Sequence, residues 1–237
     1  MKLTFNRGKM VYFNLIVARH GETDYNKDRR IQGQLDIPLS SEGRRQSMLL
    51  GQRLQDEAFT HVYTSKLSRA IQTAECILEK NKHSKPEIMM DEILAERSFG
   101  ELEGKPFKLI REMAKRHNLT EEEYSPNGGE TTSQVRQRAA SFFEDLCKRL
   151  ETEESHAEAE ARQPVVLLVS HGGFINEFAR HLLQDLNCVI PEGNNRKSLL
   201  KFSPNASVSK FVVSRKGSCH LHISCIYFYD RRHLDDD

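Results

Sequence analysis

The sequence predicts an α/β protein built on a mostly parallel β-sheet that is covered on its faces. Three short, β-branched-rich runs carry this reading: "FNLIVA" at 13–18, "HVYT" at 61–64 and "VVLLV" at 165–169. Each is bounded by polar turn residues and followed by a helical stretch, which is the alternation that generates parallel sheets. A chain of 237 residues with 38% hydrophobic and 29% charged content is that of an ordinary globular protein, long enough to close a sizeable core as one domain spanning 1–237.

In chain order, residues 1–9 read as a loose extension, with Met10 as an alternative first residue. Basic residues before the first apolar run imitate a signal peptide. The run is short, however, is interrupted by Asn14, and leads into Arg19-His20 rather than a small-residue cleavage site, so a buried strand accounts for it. No run is long enough to span a membrane.

Ser41–Gln55 begins with serines suited to an N-cap and carries Met48, Leu49 and Leu54 toward one face of a helix. Further helices are expected over Leu67–Glu79, Phe107–His117 and Thr132–Glu153. The charged stretch 151–163 is either the solvated end of the last of these or a loop. Near the C-terminus, "SVSKFVVS" and "CHLHISCIYFY" flank the turn-like "RKGS", giving a hairpin along the sheet edge. Leu221, Ile223, Cys225 and Tyr227 alternate inward, which leaves His220 and His222 on the other side, facing solvent. Two histidines with no third ligand in view do not make a metal site.

The net charge of +1 gives no reason to expect a nucleic-acid or membrane partner. The five cysteines are scattered and free of metal-like spacing, which fits reduced thiols in the cytoplasm. Asn118 and Asn205 head glycosylation-type triplets, a pattern common by chance.

In a parallel sheet all strands end on one edge, where open α/β folds place their ligand crevice. His20, Arg69 and His171 each follow a predicted strand end directly or within a helical turn, so they can meet in one pocket. Two arginines (Arg19, Arg69), two histidines and backbone N–H groups freed by glycine beside helix starts suit a dense anion, and phosphate is the natural one. A carboxylate ligand needs less positive charge. The guanidiniums would neutralise the phosphoryl oxygens, and neither a Walker-type loop nor an acidic metal cluster is present, so no cofactor or metal is expected. His20, flanked by Arg19 and facing Arg69, should stay neutral and attack phosphorus in line. A carboxyl group must then protonate the leaving alkoxide; Glu22, Glu96, Glu103 and Glu130 are candidates, and chemistry alone leaves the choice open.

These segments resemble the histidine phosphatase, or phosphoglycerate mutase-like, superfamily. The matching stretches are Arg19-His20-Gly21-Glu22-Thr23 with Asn26, Gln32-Gly33, Asp36 to Ser40, Ser65 to Thr73, Leu94 to Gly104, Gly128 to Thr131 and Ser170 to Gly173. They come in the family's order. The resemblance implies a three-layer α/β/α sandwich, His20 as phosphorylated nucleophile, and Glu96 as proton donor. It also implies that Arg19, Arg69 and His171 complete the phosphate pocket, with Asn26, Gly33 and Gly172 at the substrate. For Glu130 a structural bond or cap at the start of the Thr132 helix stands beside a role in the site. Mutases of the family resemble one another in a tyrosine where Phe99 stands here and in a paired arginine absent after Lys108, so a phosphatase fits better. The resemblance further implies small phosphorylated metabolites of glycolysis as substrates, fructose 2,6-bisphosphate and 2,3-bisphosphoglycerate foremost, and nuclear or mitochondrial association beside the cytoplasmic one. A mutase or a phosphate-sensing scaffold that has lost turnover are the alternatives. Lys105, Lys108 and Arg111, spaced three apart, read as a solvated helix face, with a second phosphate site as the other possibility.

Overall fold

The first apolar run becomes the inner strand β1, Val11–Arg19, because both of its faces meet apolar neighbours. In the computed structural model the described residues are 11–83, 85–156, 162–192, 195–196, 200, 202–216 and 220–235. The expected 1–9 extension and residues 157–161 of the charged stretch lie outside them. β1 is joined by β2 (His61–Thr64), β3 (Ile88–Met90), β4 (Val165–Ser170), β5 (Val208–Lys216) and β6 (His220–Asp230). The strand order is β3-β2-β4-β1-β5-β6, with β1, β2, β3 and β4 parallel and the β5–β6 hairpin antiparallel at one edge. The mostly parallel sheet with an edge hairpin is therefore observed as predicted.

Side-chain parity sorts the core into two layers. Phe13, Leu15 and Val17 of β1, with Val166 and Leu168 of β4, pack under α5 (Thr132–His156) and α6 (Gly172–Arg180). Ile16 and Ala18, with Leu167 and Val169, pack under α2 (Ser41–Arg53) and α3 (Ser68–Lys80). Three layers result. Each leucine or valine buried this way contributes about 1.5–3 kcal/mol of transfer free energy. A third, smaller cluster of Ile31, Leu102, Ile110, Ala114 and Tyr124 forms around α4 (Lys108–Arg116). No helix of the described residues is long and apolar enough to cross a membrane.

Ser40 caps α2 by accepting from the Gly43 N–H at 3.0 Å. Leu54 is buried as expected, but the rest of the buried face differs: it is Gly43, Gln46, Ser47, Leu50 and Gly51, while Met48 and Leu49 are only half-buried. The reason is close approach. A Cβ on Gly43 would lie 1.9 Å from the Glu22 carbonyl oxygen, and one on Gly51 2.8 Å from that of Cys76, so α2 rests on backbone at two points where apolar bulk would hold it away.

The inward alternation expected of β6 holds through Ile223 and Cys225 and then breaks. Phe211 faces Cys225 but Lys210 faces Tyr227, so Ile226 is an inserted residue and is half-exposed. The bulge turns Tyr227 to the opposite face, beside α2, where its ring lies 5.1 Å from the Arg53 guanidinium. The His220 side chain lies outside the described residues; His222 is exposed, its Nε2 hydrogen-bonding with the Ser224 hydroxyl. The charged stretch resolves in part: α5 continues through residues 151–156.

Candidate active site

The carboxyl ends of β1, β2 and β4 do converge. β1 delivers Arg19 and His20, the turn after β2 delivers Ser65 and then Arg69 in the first turn of α3, and β4 delivers His171 at the head of α6. Both imidazoles and both guanidiniums are buried, and the two rings lie 5.1 Å apart between centroids.

Each ring is held in one tautomer. His20 Nδ1 lies 2.6 Å from the Gly21 carbonyl oxygen, so it must carry the proton, and the lone pair falls on Nε2. Arg69 Nε donates to His171 Nδ1 at 3.2 Å, which makes that nitrogen the acceptor and leaves His171 Nε2–H for the Ser65 hydroxyl at 2.5 Å. His171 therefore orients Arg69 as well as lining the pocket. Burial first, and then the guanidiniums of Arg19 and Arg69, hold the His20 imidazole well below its usual range. Burial, Arg69 and His20 do the same to His171. Neutral His20 was expected from the flanking charges alone; burial, which sequence does not show, is the larger cause.

Arg69 also donates to the carbonyls of Leu35 (Nη1, 2.7 Å) and Gly33 (Nη2, 2.8 Å). Three of its five N–H donors are thus engaged and two remain. The α3 start that carries it is fixed by Asp36, whose carboxylate accepts from the Ser68 N–H and hydroxyl at 2.7 Å each. Arg19 donates Nη1 to the Ser203 carbonyl at 2.6 Å, and its guanidinium lies 4.7 Å from the Phe202 ring centroid. Its Nε is buried without a partner among the described residues. Burial pulls both guanidiniums down to about 10, which leaves them charged at neutral pH. A buried cationic donor with no acceptor is expensive unless an anion completes it.

Glu96 sits opposite. Its Oε1 accepts from the N–H groups of Arg97 (2.7 Å) and Phe174 (3.2 Å), and its Oε2 from that of Gly173 (3.1 Å). The carboxylate thus rests on the N-terminal turn of α6, and a Cβ on Gly173 would meet it at 2.4 Å. Of the other acid candidates, Glu22 accepts from the Ser40 hydroxyl, and Glu103 accepts from the N–H groups of Gln34 and Phe99. Glu130 pairs with Arg138 at 2.9 Å and accepts from the Ser98 N–H, while Thr131 and Gln134 form the α5 cap. Glu130 is accordingly a structural ion pair.

A cavity of about 230 Å³ opens beside these groups, with Arg19, Asn26, Gly33, Glu96 and Gly173 in its wall and Tyr25, Phe99, Phe107 and Phe202 around them. The Asn26 amide oxygen is taken by Thr23 and by Asn205, so only its N–H₂ end is left for a ligand. Gly172 is buried against the Phe202 ring, which a Cβ would meet at 2.3 Å. All eight residues singled out in the sequence lie in this one region. No group of three or more His, Cys, Asp or Glu side chains that could hold a metal occurs among the described residues.

The sequence profile of the histidine phosphatase superfamily (branch 1) matches residues 15–222. The chain belongs to that superfamily. Fructose-2,6-bisphosphatase TIGAR B of Danio rerio is 41% identical over 226 residues, covering 86% of this chain and 88% of the relative. Fructose-2,6-bisphosphatase TIGAR of Xenopus tropicalis is 36% identical, covering 96% of each. Among solved structures, a phosphoglycerate mutase from Bacillus anthracis shares the fold with a TM-score of 0.75 over 95% of this chain and 96% of that one, at 23% identity. A mycobacterial glucosyl-3-phosphoglycerate phosphatase bound to inorganic phosphate superimposes with a TM-score of 0.70, covering 93% and 99%, at 26% identity.

Several residues that shape the site of this histidine phosphatase were missed in the sequence. Asn205, to which the sequence assigns no site role, donates to the carbonyls of His20 and Gly21 and to Asn26. Arg138 donates to the carbonyls of Ile93 (2.6 Å), Ala95 (2.7 Å) and Glu96 (3.1 Å), hanging the acid's backbone from α5. Phe202 was also unremarked. The signal for Asn205 lay in "FSPNASVS", a turn-rich segment directly before a strand adjoining β1. Lys105 and Lys108 are exposed and Arg111 pairs with Glu121 at 3.2 Å; none is in the cavity wall, so the solvated-face reading is the one observed.

The two buried imidazoles set a pH dependence. Their folded pKa values lie below the ordinary 6.5, so below that pH the unfolded chain binds protons that the folded chain refuses. Stability is therefore retained above pH 6.5 and lost as pH falls through it, at up to about 1.4 kcal/mol per pH unit for each imidazole. Thermal melts between pH 7.5 and 5, in phosphate-free buffer, should show a shallower acid slope for His171→Gln than for wild type. Equal slopes would mean that His171 is charged in the fold.

Proposed function

We propose that this phosphatase hydrolyses small phosphorylated metabolites of the sugar and glycerate type, fructose 2,6-bisphosphate and 2,3-bisphosphoglycerate foremost, through a phosphohistidine on His20. The observation that carries the reading is the unpartnered, buried Nε of Arg19 beside a neutral His20 whose lone pair is fixed on Nε2. An arriving phosphate ester supplies the missing acceptor, and the two free donors of Arg69 take further oxygens. His20 Nε2 then attacks phosphorus and the P–O bond to the alcohol breaks. The Glu96 carboxyl acts as general acid and gives a proton to the departing oxygen. In the second half-reaction Glu96 takes a proton from water, the hydroxide attacks phosphorus, the N–P bond breaks, and orthophosphate leaves. The choice of substrate is supported by the relation to fructose-2,6-bisphosphatases across most of the chain. A cytoplasmic setting is supported by four free, buried cysteines.

A substrate panel tests the reading. kcat/KM for fructose 2,6-bisphosphate or 2,3-bisphosphoglycerate should exceed that for 3-phosphoglycerate and for a phosphotyrosine peptide by about tenfold or more. Conversion of 3-phosphoglycerate to its 2-isomer without orthophosphate release would make the protein a mutase, and faster turnover of the peptide would move it to protein substrates.

A further inference from the structure

We propose that Arg29 and Arg30 form a second anion subsite at the mouth of the cavity, selecting phosphate esters whose alcohol carries another phosphate or a carboxylate. The inference rests on the reading that the reacting phosphoryl group sits at His20 and Arg19. The starting observation is position: both arginines line the same cavity as Arg19 and Glu96, yet both are exposed at its rim.

Charge is the second observation. Arg45, Arg53, Arg136, Arg138 and Arg180 each lie on a carboxylate. Neither Arg29 nor Arg30 has a carboxylate within ion-pair distance among the described residues; Arg30 lies 5.2 Å from the centroid of the Tyr25 ring instead. Two consecutive arginines on one cavity rim, neither ion-paired among the described residues, concentrate positive charge there, and an anion within reach of both accepts charge-assisted hydrogen bonds.

The rim is also built rather than loose. Arg29 N–H donates to Asn26 O at 3.1 Å, Arg30 N–H to Tyr25 O at 2.8 Å, and Phe107 N–H to Arg29 O at 2.8 Å. Arg30 forms a β-bridge with Pro106. Arg29 is held at φ 52°, a left-handed conformation that disfavours an ordinary side chain by about 1 kcal/mol or more. These contacts lock the two residues beside Asn26, which lines the same cavity.

Beyond Phe99, Phe107 and Phe202 a second cavity carries Arg97 together with Glu121, Glu122 and Glu177, each of these three carboxylates ion-paired to an arginine. Those ion pairs give the second cavity no free charge of their own, so the pull on a second negative group, and with it the favoured orientation of the leaving alcohol, rests on Arg29 and Arg30. A phosphate ester without a second charge has no such preference.

The test compares fructose 1,6-bisphosphate with fructose 1-phosphate as inhibitors of p-nitrophenyl phosphate turnover. Reading affinity by inhibition makes the result independent of which sugar phosphate is hydrolysed, so failure of the proposed substrate leaves this test intact. In wild type the second phosphate should lower Ki by about tenfold. In Arg29→Asn with Arg30→Gln that ratio should collapse to about one; asparagine is chosen because it tolerates the left-handed backbone. The ratio should also shrink with added salt in wild type and not in the variant. A wild-type ratio near one, or a tenfold ratio surviving in the double variant, would overturn the proposal. Equal weakening of both inhibitors, with the ratio intact, would assign the arginines to holding the loop instead.

Discussion

His20→Ala should remove the acid-labile phosphoenzyme entirely and lower turnover by roughly 10⁴-fold or more, because the variant lacks the nitrogen that attacks phosphorus in the proposed route. Two features of the structure sharpen this. The ring is held by a single hydrogen bond to the carbonyl of its own neighbour, Gly21, so its removal leaves the loop's other ties in place. Those ties are many: Gly21 N–H donates to the Thr73 hydroxyl at 3.1 Å, Glu22 N–H to Gln46 at 3.0 Å, and Asn205 spans the carbonyls of both His20 and Gly21. The variant should therefore fold and bind phosphate esters. Rapid quench of radiolabelled enzyme, followed by acid and alkaline treatment, reads the covalent species, and surviving acid-labile label or undiminished turnover would refute the route through His20.

Glu96→Gln is expected to give the second-largest loss, roughly 10²-fold or more in turnover of a sugar phosphate. The surroundings of the carboxylate complicate a plain reading of that number. Three backbone N–H groups point at its two oxygens, and a glutamine can offer an oxygen to Arg97 and Phe174 only by turning its own N–H₂ toward the Gly173 N–H. A loss of stability of about 1–3 kcal/mol should accompany the substitution, from one unsatisfied buried donor. Proton donation and capping separate by leaving group. In a single turnover a p-nitrophenolate needs no proton to depart, so its burst release should fall by less than about tenfold in the variant, while burst release of a sugar alkoxide carries the full loss. Equal losses on both esters would assign Glu96 to supporting the α6 N-terminus and leave the acid unidentified.

The sheet and the convergence of the candidate site residues were legible in the chain because each depends on local chemistry: an apolar run with a polar end, a glycine after a histidine, a serine before a helix. The faces of α2 and β6 were not, because they are decided by what lies opposite. Met48 and Leu49 are as apolar as a core position needs, yet the helix turns Gly43 and Gly51 inward to touch backbone. Tyr227 changes sides because of one inserted residue whose presence follows from pairing with β5. Glu96 emerged from four acids only by resemblance; in the structure its setting on the α6 turn distinguishes it, a contact across 77 positions of chain that no local pattern encodes. Arg138 and Asn205 act on the site through backbone carbonyls, which leave no mark in side-chain patterns.

The bond between Asn205 and the nucleophile loop has a consequence for the order of biosynthesis. β1 is made before β4 and β5, its neighbours in the sheet, and Arg19 and His20 are held by carbonyl and amide groups of residues 203–207. A nascent polypeptide exposed as far as residue 200 would already display every side chain named in the chemistry and still lack the scaffold that aims them. Such long-range closure delays folding relative to local contacts, so competence should be acquired only once residues 203–216 have been made, and a chain truncated before residue 203 should be inert.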